Sequence, residues 1–410
     1  MRILFLSHYF PPEGNAPASR VHAMTRRWVE AGHEVTVITC APNVPDGKVY
    51  DGYRNRLCQR EVIDGVEVIR VWTYLAANKG TARRIANFVS YMVTATLRGA
   101  FERRPDVLIA TSPQFFCGWA GVLLGRLKAV PFVLEVRDLW PESIEAVGAM
   151  SNRKALALLE RMEDWLYRAA KHIVTVGPGY RQRLLEKGVP DAKLSVIPNG
   201  VETRAYQPRP KDAALEAEFG LGGRFVCAYI GTIGMAHGLE VVLAAAEQLR
   251  QRGRTGVRFL IVGDGAARAD LQAEADRRGL TGLVTFTGRR PKEQMPAFLA
   301  TADACLVHLK RTPLFTTVLP SKIFEALAMK RPIILGVEGH VTSLLVESGG
   351  GLAIEPENGT QLADAVERLA DNPTAAHQFG SEGHDYVLRE YDLDKLAARY
   401  LDVLRRVSRV

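Results

Sequence analysis

Residues 224–238 read RFVCAYIGTIGMAHG, a short apolar run that ends on Gly231 and continues through Thr232, Ile233, Gly234, Met235, Ala236, His237 and Gly238. A continuous apolar run closed by glycine is the pattern of a strand buried on both faces, and the glycines give backbone room in the turn that follows. Just upstream lies PNGVETRAYQPRPKD (198–212), rich in proline and turn formers. That composition marks a domain junction, so the run at 224 opens a second domain and does not extend the first.

The same pattern extends outward in both directions. Upstream are ILFLS (3–7), EVTVITC (34–40), VEVIRVW (66–72), DVLIATS (106–112), PFVLEVR (131–137), HIVTVG (172–177) and KLSVIP (193–198). Downstream are VRFLIVG (257–263), LVTFTG (283–288), ACLVHL (304–309), PIILG (332–336) and GGLAIEP (350–356). Apolar strands alternating with helical patterns indicate parallel sheets covered on both faces. The expected class is therefore α/β, with two doubly wound, Rossmann-like domains facing a central cleft. The expected boundaries are 1–200 and 201–389, with a last helix over about 390–410 packing back onto the first domain.

Composition narrows the function. At 410 residues, 47% apolar and 24% charged, the chain reads as a globular protein too long for one core. No run approaches the roughly 18–20 apolar residues of a membrane helix. The opening MRILFLSHYFPPEG meets polar residues and Pro-Pro where a signal peptide would carry small residues, so it reads as a buried first strand. Five scattered cysteines without C-x-x-C argue against a disulfide framework or a zinc site and fit a reducing cytoplasm. The net charge of +8 lies wholly in residues 1–200, with 27 Lys and Arg against 19 Asp and Glu; residues 201–410 hold 26 of each. Such asymmetry suggests that the first half meets something anionic: nucleic acid, a phospholipid surface or a phosphorylated acceptor.

Ligands of open α/β sheets sit beyond the carboxyl ends of the strands. After the first strand come His8 and the turn through Gly14 and Asn15, which read either as a substrate-facing edge or as a Pro/Gly turn with a structural histidine. After the fifth comes Arg137-Asp138-Leu139-Trp140-Pro141-Glu142, a carboxylate and an aromatic at the same edge, or an Arg137–Asp138 pair shaping a turn. The GxxGxxxG from Gly231 raises a dinucleotide alternative but lacks the G-x-G-x-x-G order, and Gly263-Asp264-Gly265 reads as a turn. Arg289 and Arg290 end another strand, as a phosphate or base contact or as a solvated basic turn. No metal site is expected; Asp392-Leu393-Asp394, the only D-x-D, reads as a helix cap.

The chemistry centres on LPSKIFEALAMK (319–330). Pro320 and Ser321 read as a helix start, with the serine capping free N–H groups. From Lys322 the first turn offers N–H groups, the positive end of the helix dipole and an ammonium, which suit a pyrophosphate. Glu325 lies on the face of Ser321, about 5–6 Å further along the axis, where a carboxylate can accept ribose hydroxyls. The alternative is an ordinary capped helix with a Lys322–Glu325 surface pair.

Together, HYFPPEGNAPASR, ATSPQ, EVRDLWPES, IPNGVE, GTIGMAHGLE and LPSKIFEALAMKRP make essentially the whole chain resemble a family 4 glycosyltransferase of the GT-B fold. Within that family it is similar to the subgroup transferring N-acetyl-L-fucosamine or related deoxy-amino sugars in surface-polysaccharide assembly. The resemblance implies a retaining transfer from a nucleoside-diphosphate sugar, without a metal or other cofactor, to a lipid-diphosphate-linked saccharide. It puts the ribose-binding glutamate on Glu325, the diphosphate-binding helix start on Ser321, Lys322 and Ile323, and the N-terminal glycine loop on Gly14 and Asn15. Two departures stand out: the family's first glutamate is replaced by Thr317, and His237 occupies its lysine position in the Gly231 loop. Lys322 and Arg289 are then the expected phosphate charges, and Asp138 and His8 the expected catalytic groups. A GT-B epimerase acting on a UDP-amino sugar is the alternative, and an NAD-type oxidoreductase a third reading.

Residues 81–104, TARRIANFVSYMVTATLRGAFERR, place Ile85, Phe88, Val89, Met92 and Leu97 near one helical stripe, flanked by Arg83, Arg84, Arg98, Arg103 and Arg104. Such a helix either covers its own sheet or docks the first domain on the inner face of a membrane. The expected location is cytoplasmic and peripheral to that membrane, with no nucleic-acid partner.

Overall fold

The computed structural model describes residues 1–44, 46–76, 81–112, 115–139, 153–312, 315–316 and 318–408. The chain divides into two units, Met1–Asn199 with Leu393–Val410, and Gly200–Asp392. Trp140, Pro141, Glu142 and Thr317 lie outside the described residues.

In unit 1 the strands are β1 (Arg2–Leu6), β2 (Glu34–Cys40), β3 (Cys58–Ile63), β4 (Val66–Val71), β5 (Val107–Thr111), β6 (Phe132–Val136), β7 (His172–Thr175) and β8 (Leu194–Val196). The helices between them are α1 (Ala16–Glu30), α2 (Thr81–Ala100), α3 (Phe115–Lys128), α4 (Arg153–Ala169) and α5 (Pro178–Glu186). The sheet order is β3-β4-β2-β1-β5-β6-β7-β8. Every pairing is parallel except β3 with β4. Strand β3 went unread in the sequence because CQREVI is half-exposed along its length and carries no apolar run. It is an edge strand held by the β4 ladder, and such strands tolerate charge.

Unit 2 contains α6 (Ala213–Phe219), β9 (Phe225–Ile230), α7 (Glu240–Gln251), β10 (Val257–Val262), α8 (Arg268–Arg277), β11 (Val284–Gly288) and α9 (Met295–Thr301). It continues through β12 (Ala304–His308), α10 (Lys322–Ala328), β13 (Ile333–Gly336), α11 (His340–Ser348), β14 (Gly351–Ala353), α12 (Gly359–Asp371) and α13 (Pro373–Glu390). Its sheet is fully parallel, in the order β11-β10-β9-β12-β13-β14. β9, β10, β12 and β13 are almost wholly buried, as expected of strands covered by helices on both faces.

The last helix, α14 (Leu393–Ser408), belongs to unit 1. Arg27 Nε donates to Asp394 Oδ1 at 2.6 Å, and Trp28 Nε1 donates to the Ala397 carbonyl at 3.1 Å. The Trp28 ring meets Tyr400 edge-on, with centroids 5.2 Å apart. Leu396, Tyr400, Leu401 and Leu404 complete a core with Ile3, Phe5, Val21 and Met24. This placement sharpens the charge asymmetry: unit 1 carries 32 Lys and Arg against 21 Asp and Glu, a net +11, whereas unit 2 is net −3.

Candidate functional site

In unit 2 the chain runs from β9 to β10 to β11 on one flank, then returns to place β12 on the other, and ligand crevices open where strand order reverses in this way. β9 and β12 pair only at Cys227–Ala304 and Ala228–Cys305, so their carboxyl ends are not laddered together. Tyr229, the Gly231 loop and His308 stand at this end.

Lys322, the first residue of α10, points its ammonium into this crevice. Its Nζ lies 2.6 Å from the Tyr229 hydroxyl and 3.9 Å from the centroid of that ring. Gly231 has φ +142°, a conformation that favours glycine, and a Cβ there would come within 2.8 Å of Lys322 Nζ. Behind it, a Cβ on Gly263 would fall 1.9 Å from the Gly231 carbonyl oxygen. The Gly263-Asp264-Gly265 turn therefore buttresses the Gly231 loop: Ile233 N–H donates to the Asp264 carbonyl at 2.9 Å, and Ala267 N–H to the Ile233 carbonyl at 3.0 Å.

His308 secures the far side of the loop. Its Nδ1 lies 2.6 Å from the His237 carbonyl oxygen, while its Nε2 accepts the Glu357 N–H at 2.8 Å, which together define one neutral tautomer. His237 Nδ1 accepts the Gly234 N–H at 3.3 Å. Burial, then the nearby Lys322 charge, lowers the His237 pKa to about 4, so this ring is neutral and contributes no cation. Burial likewise lowers Lys322 to about 7, opposed by the charge of Glu325. Glu325 is pushed up by burial, opposed by the Lys292 charge, the Tyr206 hydroxyl and the Lys322 charge.

Three details of the expected helix start are corrected. The Ser321 side chain makes no cap hydrogen bond, because its backbone is already helical at φ −62° and ψ −23°. The amide of Ile323 is engaged, donating to the Pro320 carbonyl at 3.3 Å, and its side chain is fully buried. Lys322 turns inward to Tyr229 and does not form the surface pair with Glu325. Arg289 is exposed at the end of β11, the edge strand two places from β9, and makes no hydrogen bond or ion pair with the Lys322 group. Its neighbour Arg290 pairs with Glu218 and lies over Phe219.

The unit 1 candidates sit at the carboxyl edge of the other sheet. His8 is only 3% exposed, its ring meeting Tyr9, Phe88 and Tyr91 edge-on at 5.1, 5.7 and 4.9 Å. Burial lowers its pKa to about 3, which makes it a very weak base. Asn15 caps α1, its Oδ1 accepting the Ala18 N–H at 2.9 Å, and a Cβ on Gly14 would meet nothing within 4 Å. Asp138 is half-buried after β6, its amide 3.3 Å from Ser112 Oγ.

α2 also differs from expectation. Asn87, Phe88, Tyr91, Ala95 and Gly99 form its buried face, so Phe88 belongs to the core. A second stripe, Val93 and Leu97, continued by Phe101 just past the helix end, faces outward, with Leu97 59% and Phe101 82% exposed. Lys128 Nζ donates to the carbonyls of Ala100 and Glu102, drawing the end of α3, with exposed Leu123 and Leu127, alongside. Among the described residues, no helix is long and apolar enough to cross a membrane.

Residues 15–200 match the glycosyl transferase 4-like domain, and residues 224–372 match glycosyl transferases group 1. The chain belongs to glycosyltransferase family 4. The transferase is 27% identical over 419 residues to the putative colanic acid biosynthesis glycosyl transferase WcaI of Escherichia coli, covering 99% of this chain and 100% of that one. Two solved structures share its fold over nearly the full length of both chains. Anabaena Alr3699/HepE, in complex with UDP, has a TM-score of 0.71 and 16% identity, covering 99% of this chain and 100% of that one. WaaG, a glycosyltransferase involved in lipopolysaccharide biosynthesis, has a TM-score of 0.69 and 15% identity, covering 98% and 99%. The two parallel sheets and these likenesses establish the GT-B fold.

Sequence reasoning missed Tyr229, Tyr206 and His308. Tyr229 had a readable signal, a polar-tipped ring two positions before a glycine in an otherwise apolar strand. Tyr206 and His308 had none, since their partners Glu325 and Glu357 are distant in sequence.

Proposed function

We propose that this transferase moves a sugar, of the deoxy-amino class, from a UDP donor to a lipid-diphosphate-linked saccharide in O-antigen, capsule or exopolysaccharide assembly, with retention of anomeric configuration. The observation that carries the donor site is the Lys322 ammonium, held against Tyr229 beside Gly231 at the mouth of β9. The leaving diphosphate needs a positive charge there, and Lys322 is a cation that faces into the crevice. Glu325, one helical turn on, is assigned to the ribose hydroxyls. The subgroup likeness in the sequence and the colanic acid relative support the surface-polysaccharide setting.

Asp138 is assigned to the acceptor hydroxyl, as a positioning or proton-accepting group. His8, neutral and enclosed by aromatic rings, is assigned to holding the β1 edge. The transferase acts at the inner face of a membrane, through the outward stripe of α2 and its arginines, without crossing it. The test is a nucleotide panel of UDP, GDP and ADP by thermal shift, since a ligand of the folded state raises its melting temperature. UDP-sugars are then incubated with and without a lipid-diphosphate acceptor, and the product anomer is read by NMR. Transfer to the acceptor with retention is expected; a donor epimerised in its absence would instead give the epimerase reading.

A further inference from the structure

Among the described residues of unit 1, Arg137 carries two buried donors without a partner. It follows β6, its amide donating to Ser112 Oγ at 2.7 Å, and its Nε and Nη1 are shielded from solvent without a hydrogen-bond partner. The nearest carboxylate in its strand is committed elsewhere. Glu135 accepts from Arg20 Nε at 3.1 Å and from Thr111 Oγ1 at 2.8 Å. Arg20 itself is satisfied by the Pro198 and Ile197 carbonyls at 2.8 and 2.7 Å. Burial lowers Arg137 to about 10, which still leaves it charged at neutral pH. Buried donors of this kind are normally paired, so two on one guanidinium indicate a missing acceptor.

The start of α5 faces the same place. Gly177, its N-cap, has no side chain to satisfy the first amides; Pro178 supplies no N–H, and Gly177 and Gly179 are buried. Val176 N–H donates to the Val136 carbonyl at 3.3 Å, so the end of β7, from which α5 starts, lies beside the end of β6, from which Arg137 follows. A helix start and a planar fork of N–H groups are complementary to the several oxygens of a phosphate.

We infer that Arg137 and the first turn of α5 form a phosphate site in unit 1 that binds the diphosphate of the lipid-linked acceptor. The inference rests on the transferase reading above. The donor diphosphate has its own cation, Lys322, in unit 2, and the Arg137 site lies in the unit with all the excess positive charge. Asp138 stands next to Arg137, so phosphate recognition and alignment of the acceptor hydroxyl fall on adjacent residues.

The experiment titrates inorganic pyrophosphate and farnesyl diphosphate by calorimetry into protein saturated with UDP, and into a Lys322→Met variant. Binding is expected in both, with farnesyl diphosphate at least as tight as pyrophosphate. Arg137→Gln should weaken it ten- to a hundredfold, Arg137→Lys should restore part of it, and UDP affinity should stay within about twofold. Melting temperatures identify any variant that misfolds, and Arg137→Lys then carries the comparison. The inference is overturned by pyrophosphate binding that ignores Arg137, by exclusion of farnesyl diphosphate, or by a parallel loss of UDP affinity, which would assign the guanidinium to the nucleotide. A wild type that ignores UDP would fail the donor assignment alone, because the Lys322→Met titration still reads Arg137.

Discussion

The Lys322 ammonium donates to the Tyr229 hydroxyl at 2.6 Å while lying 3.9 Å from the centroid of the same ring. An ammonium held by one hydroxyl and a π face is poorly solvated, and burial lowers its pKa to about 7. A diphosphate beside it favours the charged form, so donor binding takes up a proton. UDP affinity should fall as pH rises from about 7, by as much as tenfold per unit, measured by calorimetry across pH 6–9. The apo protein responds oppositely. Because the unfolded lysine keeps its proton to about 10.5, this group makes apo stability rise between about pH 7 and 10.5. Lys322→Met should abolish both dependences, and a wild-type profile in that variant would refute the assignment.

Glu325, beside Tyr206, is the second half of the proposed donor site. Removing a charged hydrogen-bond partner from a bound ribose costs about 1.5–3 kcal/mol, or roughly ten- to a hundredfold in affinity. Glu325→Ala should show this loss for UDP and UDP-sugar alike. Tyr206→Phe, which only releases the carboxylate, should lose a few-fold. UDP binding by Glu325→Ala at wild-type strength would remove the ribose assignment.

Asp138 should act on turnover and spare donor binding. With Asp138→Asn, transfer is expected to fall at least a hundredfold while the UDP dissociation constant changes less than threefold. A matching loss of both would make the residue structural. Transfer should also persist in EDTA, and activity regained only on adding magnesium would contradict a metal-free reaction.

The outward stripe of α2 gives a surface prediction. Co-sedimentation with anionic but not neutral vesicles is expected, with each nearby Lys or Arg contributing about 1 kcal/mol and salt releasing the protein. Leu97→Ser with Phe101→Ser should reduce the bound fraction, whereas substituting Ile85 should matter less. Indifference to vesicle charge would leave the stripe without this role.

The α14 helix should be needed for unit 1 to fold. Trp28 is fully buried between β1 and Tyr400, so Trp28→Ala should cost about 3–5 kcal/mol in denaturant unfolding. Truncation before Leu393 should destabilise the protein further still. A truncated chain with an unchanged midpoint would show that the helix is dispensable.

Periodicity and composition by themselves determined the two α/β halves, the junction near residue 200, the ends of nearly every parallel strand, and Lys322 and Glu325 as the residues to examine. These are local properties: a strand buried on both faces must be continuously apolar, and a helix start must be punctuated. Tertiary structure alone decided the rest. β3 exists because β4 supplies its ladder, and the last helix, expected to return to the first unit, is received there by Trp28 and Arg27, which the sequence did not single out. Phe88 and Leu97 share one amphipathic helix, yet one is core and the other surface, since a sheet covers only one of two apolar stripes. His8 became a weak base and Lys322 a labile cation through desolvation, which depends on neighbours far away in the chain. Arg137 read either as part of a site edge or as half of a turn-forming pair with Asp138; its unpartnered Nε and Nη1, beside a Glu135 bound to Arg20 from 115 residues away, come from the tertiary structure.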